Sequence, residues 1–120
     1  MNDKYPCPCC GYYVFSESLG SYEICPICFW QDDLADMEAM YEAIGPNKVS
    51  LFEAQQNYIK FAASEERFIK NVRKHNSEDM RDPSWRPLKK DIDVPIDIRS
   101  NSNDPKDIYY WHWKKDADKN

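Results

Sequence analysis

The sequence predicts an α+β domain in which a small cysteine-clasped β-hairpin packs on two or three helices and is followed by an extended C-terminal segment. Three observations carry this reading. Two cysteine pairs, Cys7 with Cys10 and Cys25 with Cys28, bracket a run rich in aromatic and β-branched residues. Stretches between residues 31 and 75 repeat apolar side chains at helical intervals. Beyond residue 76, Pro83, Pro87, Pro95 and Pro105 recur among charged residues and leave little room for a long helix. The chain therefore divides into a cysteine-rich part, residues 1–75, and an extended part, residues 76–120, expected to dock on the same domain.

The cysteines come first in the chain and in the argument. A chain of 120 residues is about one domain. Its hydrophobic share of 42% lies under the usual ~45–50% and its charged share of 31% over the usual ~25%, so the core should be thin. No apolar run approaches the ~18–20 residues of a membrane span, and the first residues do not form the apolar core of a signal peptide. A soluble, cytoplasmic protein is expected, and in that reducing compartment clustered cysteines bind metal or do redox chemistry more often than they form disulfides. Cys7 and Cys10, then Cys25 and Cys28, give C-x2-C, fourteen intervening residues, and C-x2-C, close to a four-thiolate zinc spacing. Each C-x2-C turn aims two sulfurs at one ion, and two turns complete a tetrahedron. Pro8 and Pro26 follow the first cysteine of each pair with φ already set, and Gly11 follows Cys10, where positive φ costs little. Cys7, Cys10, Cys25 and Cys28 are the predicted ligands of one structural zinc ion per chain. Cys9, between two ligands, should face away and react quickly with thiol reagents unless hairpin aromatics cover it. Four buried free cysteines, or a ligand set using Cys9 or a histidine, are the alternatives.

The remaining elements follow in order. YYVFSESLGSYEI, residues 12–24, places β-branched and aromatic residues on both sides of a Ser/Gly turn and reads as a hairpin, so the start of the chain is zinc-ribbon-like. Leu34, Met37, Met40, Tyr41 and Ile44 then mark a helix stopped by Gly45 and Pro46, with Asp32, Asp33 and Asp36 at its electropositive N-terminus. SLFE, residues 50–53, has the form of a capping box, and Leu51, Ala54, Tyr58 and Phe61 or Ala62 continue the helical spacing. Ser64 reads as the N-cap of a short helix carrying Phe68, Ile69 and Val72. DIDVPIDI, residues 91–98, alternates acidic with apolar side chains and suits an edge strand. IYYWHWKK, residues 108–115, is too aromatic for a disordered tail and is expected to return to the domain as a strand, the alternative being docking onto a partner.

The motifs CPCCG at 7–11, YEICPICFWQDD at 22–33, GPNKVSLFEAQQNY at 45–58 and FAASEERF at 61–68 resemble the small bacterial cysteine-rich CPCC domain family over about residues 5–74. The resemblance implies the same four cysteine ligands and supplies no catalytic residue.

Function classes divide on charge and on the closed metal shell. The formal charge of −5, with four thiolates on one divalent ion taking it to about −7, disfavours a phosphate backbone as partner. Residues 46–75 hold six basic against three acidic side chains, yet Lys48, Lys60, Arg67, Lys70, Arg73 and Lys74 do not interleave with aromatics as a stacking platform would. A four-cysteine shell has no open position for catalysis, and His75 and His112 sit in no catalytic motif. The expectation is therefore a non-enzymatic, zinc-stabilised small binding module acting through protein–protein contacts on an unidentified partner. The acidic run Asp32, Asp33, Asp36, Glu38 and Glu42 suggests a basic partner, one version being an inhibitor or immunity-type protein. A nucleic-acid-binding zinc ribbon and a rubredoxin-like electron carrier are the alternatives; for the second, the knuckle glycine is missing, with Phe29 in its place.

Overall fold

The computed structural model describes residues 4–95 and 109–112. Among the described residues it is an α+β fold: a two-stranded antiparallel hairpin, two α-helices and two 3-10 segments arranged about the cysteine cluster. Strand β1 is Tyr5–Pro6 and strand β2 is Tyr13–Phe15, paired as Tyr5 with Phe15 and Pro6 with Tyr13. Helix α1 spans Leu34–Ala39 and helix α2 Leu51–Phe61.

The hairpin differs from the one expected over residues 12–24. Residues 13–15 pair with residues before Cys7, so the turn of the hairpin is the first cysteine knuckle. The second knuckle makes its own ribbon, with Tyr22 N–H on the Asp32 carbonyl, Asp32 N–H on the Glu23 carbonyl, and a bridge between Ile24 and Gln31. The reason is geometric. A C-x2-C turn reverses the chain between its own cysteines, so the nearest strand partner of either flank is the other flank.

Helix α1 starts where the acidic run predicts but ends early. Asp33 is its N-cap, accepting from Asp36 N–H, and the helix stops at Met40, whose φ is 58°. Gly45 and Pro46 do not end it, and Ile44 is 59% exposed. Met40 is buried in the core, and its carbonyl accepts from Phe52 N–H in the first turn of α2, which ties the two helices end to start. Helix α2 has Ser50 as N-cap, accepting from Glu53 N–H at 3.0 Å, with Leu51, Ala54 and Gln55 buried.

Ser64 is not an N-cap. Its N–H donates to the Cys28 carbonyl, and the following 3-10 helix, Glu66–Asn71, has Glu65 before it and no side-chain cap. This element buries no side chain fully. Its place is held by Phe68 against Phe29, ring centroids 4.5 Å apart, rather than by the apolar stripe expected there. The strand expected at 91–98 is replaced over 91–95 by a turn and irregular chain; 96–98 lie outside the described residues. Residues 109–112 contain a 3-10 turn, Tyr110–His112, instead of a strand, while 108 and 113–115 lie outside the described residues. Tyr109, Tyr110 and Trp111 are buried in the same cluster as the cysteines, Leu51, Ala54 and Leu88.

Candidate metal centre

Two matching turns build the site. In the first, Cys7 N–H donates to the Tyr12 carbonyl and Gly11 N–H to the Cys7 carbonyl; in the second, Cys25 N–H donates to Trp30 and Phe29 N–H to Cys25. The knuckles thus share one hydrogen-bond pattern, and Gly11 and Phe29 hold the same place in it with φ of 84° and 72°. The glycine missing from the second knuckle does not alter the turn. Phe29 accepts a left-handed conformation that costs a non-glycine residue about 1–2 kcal/mol, and its contact with Phe68 offsets part of that. At Gly11 no side chain would fit, because an added Cβ would lie 2.7 Å from the Trp85 ring.

The turns bring the sulfurs of Cys7, Cys10, Cys25 and Cys28 within 4.8 Å of one another, all fully buried. Cys7 Sγ lies 3.6 Å from Cys28 Sγ, and Cys10 Sγ 3.8 Å from Cys25 Sγ. All four are free thiols, and these separations are far beyond a ~2.05 Å disulfide. They match the ~3.8 Å edge of a tetrahedron with metal–sulfur bonds of ~2.3 Å. The N–H groups of Ile27 and Cys28 point at Cys25 Sγ, 3.3 and 3.4 Å away. Burial pushes the Cys7, Cys10 and Cys28 thiols up, the first and last well above the ordinary value. Burial acts on Cys25 in the same direction, but hydrogen bonds from Cys10, Cys28 and Cys7 and from Cys28 N–H outweigh it and hold Cys25 well below that value. Full ionisation of the cluster requires a positive charge at the centre, which a metal ion supplies.

Cys9 lies outside the four converging sulfurs, although its thiol reaches Cys28, and it is not exposed. It is fully buried in the apolar cluster. Burial, and not orientation toward solvent, is what the structure assigns it, so native protein should react slowly with a thiol reagent at Cys9. Cys9→Ser should keep its full metal content and lose about 1–3 kcal/mol through a buried hydroxyl, read by metal analysis and thermal melting. Loss of the metal would show instead that Cys9 belongs to the ligand set.

The two histidines lie outside the cluster. His75 stacks on Tyr12, ring centroids 4.9 Å apart. His112 Nε2 is 3.6 Å from Asp82 Oδ2, which also accepts from the Trp111 indole at 2.9 Å. The acidic run is not a face. Asp32, Asp33 and Asp36 are buried as loop and helix caps: Asp32 accepts from Gly20 and Ser21, and Asp36 accepts from Gly45 and Asn47. Three of the five charges that suggested a basic partner are thus spent inside the molecule.

Sequence reasoning missed Gln55. Fully buried, it donates to the Pro8 carbonyl at 2.9 Å and the Tyr110 hydroxyl at 2.8 Å, and accepts from Leu88 N–H at 2.7 Å. Its signal was present four residues after Leu51, where a polar side chain stands on the apolar face of α2.

These features define a small α+β metal-binding module whose four cysteines are positioned to hold one ion. The chain belongs to the cysteine-rich CPCC family, whose profile matches residues 5–79. Comparison with curated proteins found no match. Among the described residues, no helix is long and apolar enough to cross a membrane.

Proposed function

We propose that one structural zinc ion occupies the four-cysteine site and that it staples a non-catalytic module acting through protein–protein contacts. The carrying observation is the fully buried four-sulfur shell. Sulfur is the donor set that zinc prefers in structural sites, and four such ligands leave no position for a substrate. Large apolar side chains left outside, including Tyr22 at 64% and Ile24 at 48% exposed, supply contact area of the kind partners cover. Free cysteines throughout accord with a cytoplasmic location, where thiols stay reduced.

Purified protein is expected to be colourless and to carry one zinc per chain by elemental analysis. A red protein with iron and strong visible thiolate bands would support the electron-carrier alternative and overturn the zinc reading. The binding role is tested by affinity capture with the wild-type chain beside a Tyr22→Ala, Ile24→Ser variant. A defined protein partner retained by the first and lost by the second supports it; retention of nucleic acid and no protein would replace it with the nucleic-acid reading. An inhibitor or immunity-type role for a basic effector has less support than the sequence suggested, because Asp32, Asp33 and Asp36 are buried.

A further inference from the structure

Beside the first knuckle, on the face where α2 ends, lies an open cleft of about 430 Å³ lined by Tyr58, Ile59, Arg73, Lys74, His75 and Arg81. The volume falls within the ~300–1,000 Å³ of small-ligand sites. Its charge is one-sided: three cations line it, and the carboxylate that answers them is Asp79, which is taken up by Arg73 through two bonds of 2.8 and 2.9 Å. The larger cleft along α2 is different in kind. It mixes Glu53, Glu65 and Glu66 with Lys60 and Arg67 and has no single sign.

Arg81 is held in place without using its terminal nitrogens. Its Nε donates to the Cys10 carbonyl at 2.8 Å, and its guanidinium lies 4.9 Å from the Tyr12 ring centroid and 4.7 Å from that of Trp85. His75 stacks on the same Tyr12 ring. Among the described residues, neither the terminal nitrogens of Arg81 nor the Lys74 ammonium has a hydrogen-bond or ion-pair partner. A guanidinium fixed by stacking and one bond keeps its terminal donors for a planar or tetrahedral oxyanion at little entropic cost. Ile59, 63% exposed, adds an apolar wall beside these donors.

We propose that this cleft binds a phosphate monoester carried on an apolar or aromatic group, with Arg81 and Lys74 holding the phosphate and Ile59 and Tyr58 packing the organic part. Two uncommitted cations match a dianionic phosphate better than a single carboxylate charge. Arg81 ties the site to the metal knuckle, since its anchor is the carbonyl of Cys10. The proposal goes beyond the zinc-stapled module and does not depend on which metal or protein partner that module takes.

The test uses folded full-length holo protein titrated with phenyl phosphate, inorganic phosphate and benzoate, followed by calorimetry and by NMR of the Arg81 Nε and Trp85 indole protons. Phenyl phosphate is expected to bind with a Kd below about 1 mM, more tightly than either probe that lacks the ring or the phosphate, and to move both signals. Lys74→Glu should weaken it by about tenfold or more. Among the described residues no hydrogen bond or ion pair ties the Lys74 side chain to either knuckle, so the variant is expected to retain its metal and its melting temperature. Lys60→Glu, the same charge change on the mixed-sign cleft, should leave binding unchanged. Absence of shifts at 10-fold excess over that Kd, equal affinity for benzoate, or equal weakening by Lys60→Glu would each overturn the proposal, the last by showing an effect of net charge alone.

Discussion

Cys7→Ser and Cys10→Ser proteins will purify without metal and largely unfolded. Either substitution leaves three sulfurs around an ion, and the site loses a corner that the structure places at the centre of the core, where all four sulfurs are fully buried. The flanks of the knuckles contribute little of their own. Strand β1 is two residues long and β2 three, and the two pair with an irregularity between Tyr5 and Pro6. A ribbon of that size is not stable by burial alone. Structural zinc contributes apparent free energies of about 10–16 kcal/mol in small fingers, against a typical domain stability of about 5–15 kcal/mol. Even a partial loss is therefore comparable with the whole margin. Metal content and a melting curve check this, and a Cys10→Ser protein that kept one equivalent of metal and a sharp transition would refute the ligand assignment.

Gln55→Ala should cost about 3–5 kcal/mol. The side chain joins three segments that have no secondary structure in common: the Pro8 turn, the chain at Leu88, and the C-terminal Tyr110. Removing it strands the Leu88 N–H in the core, where an unsatisfied donor costs about 1–3 kcal/mol, and opens a cavity besides. Pro8 is less affected because its carbonyl also accepts from the Trp85 indole at 2.9 Å. Tyr110→Phe removes a hydroxyl that accepts from Gln55 and donates to the Arg86 carbonyl. The two substitutions share a network, so the double variant should be less unstable than the sum of the singles by about 0.5–3 kcal/mol. Denaturant unfolding of the four proteins measures this directly. Strict additivity, or a Gln55→Ala loss under about 1 kcal/mol, would mean that the polar junction does not hold the C-terminal turn.

The features that could be read from the chain were those whose cause is local. C-x2-C spacing with proline inside the turn specifies how two sulfurs point whatever surrounds them, and so Cys7, Cys10, Cys25 and Cys28 stood out before any fold was known. Ser50 at the start of α2 is similar, because its partner, Glu53 N–H, is three residues away. Asp33 capped α1 for the same reason, while its neighbours misled. Asp32 and Asp36 look like members of an exposed acidic face, but their partners, Ser21 and Asn47, lie eleven residues away in either direction. At such separations a carboxylate satisfying a loop cannot be told from one facing water.

Sequence by itself picked out the four cysteines whose sulfurs the fold brings together, the α+β class, the two α-helices and the start of each. The tertiary structure decided which flanks pair as strands, that α1 stops at Met40, that Cys9 is buried, and that Tyr109, Tyr110 and Trp111 return to the core as a turn. The physical difference is the separation in sequence between a group and what satisfies it. Gln55 meets Pro8 across 47 positions and Tyr110 across 55, and Arg81 meets Cys10 across 71. Hydrogen bonds of that span depend on how the cysteine turns, α2 and the later segments pack together, so no local pattern in the chain encodes them.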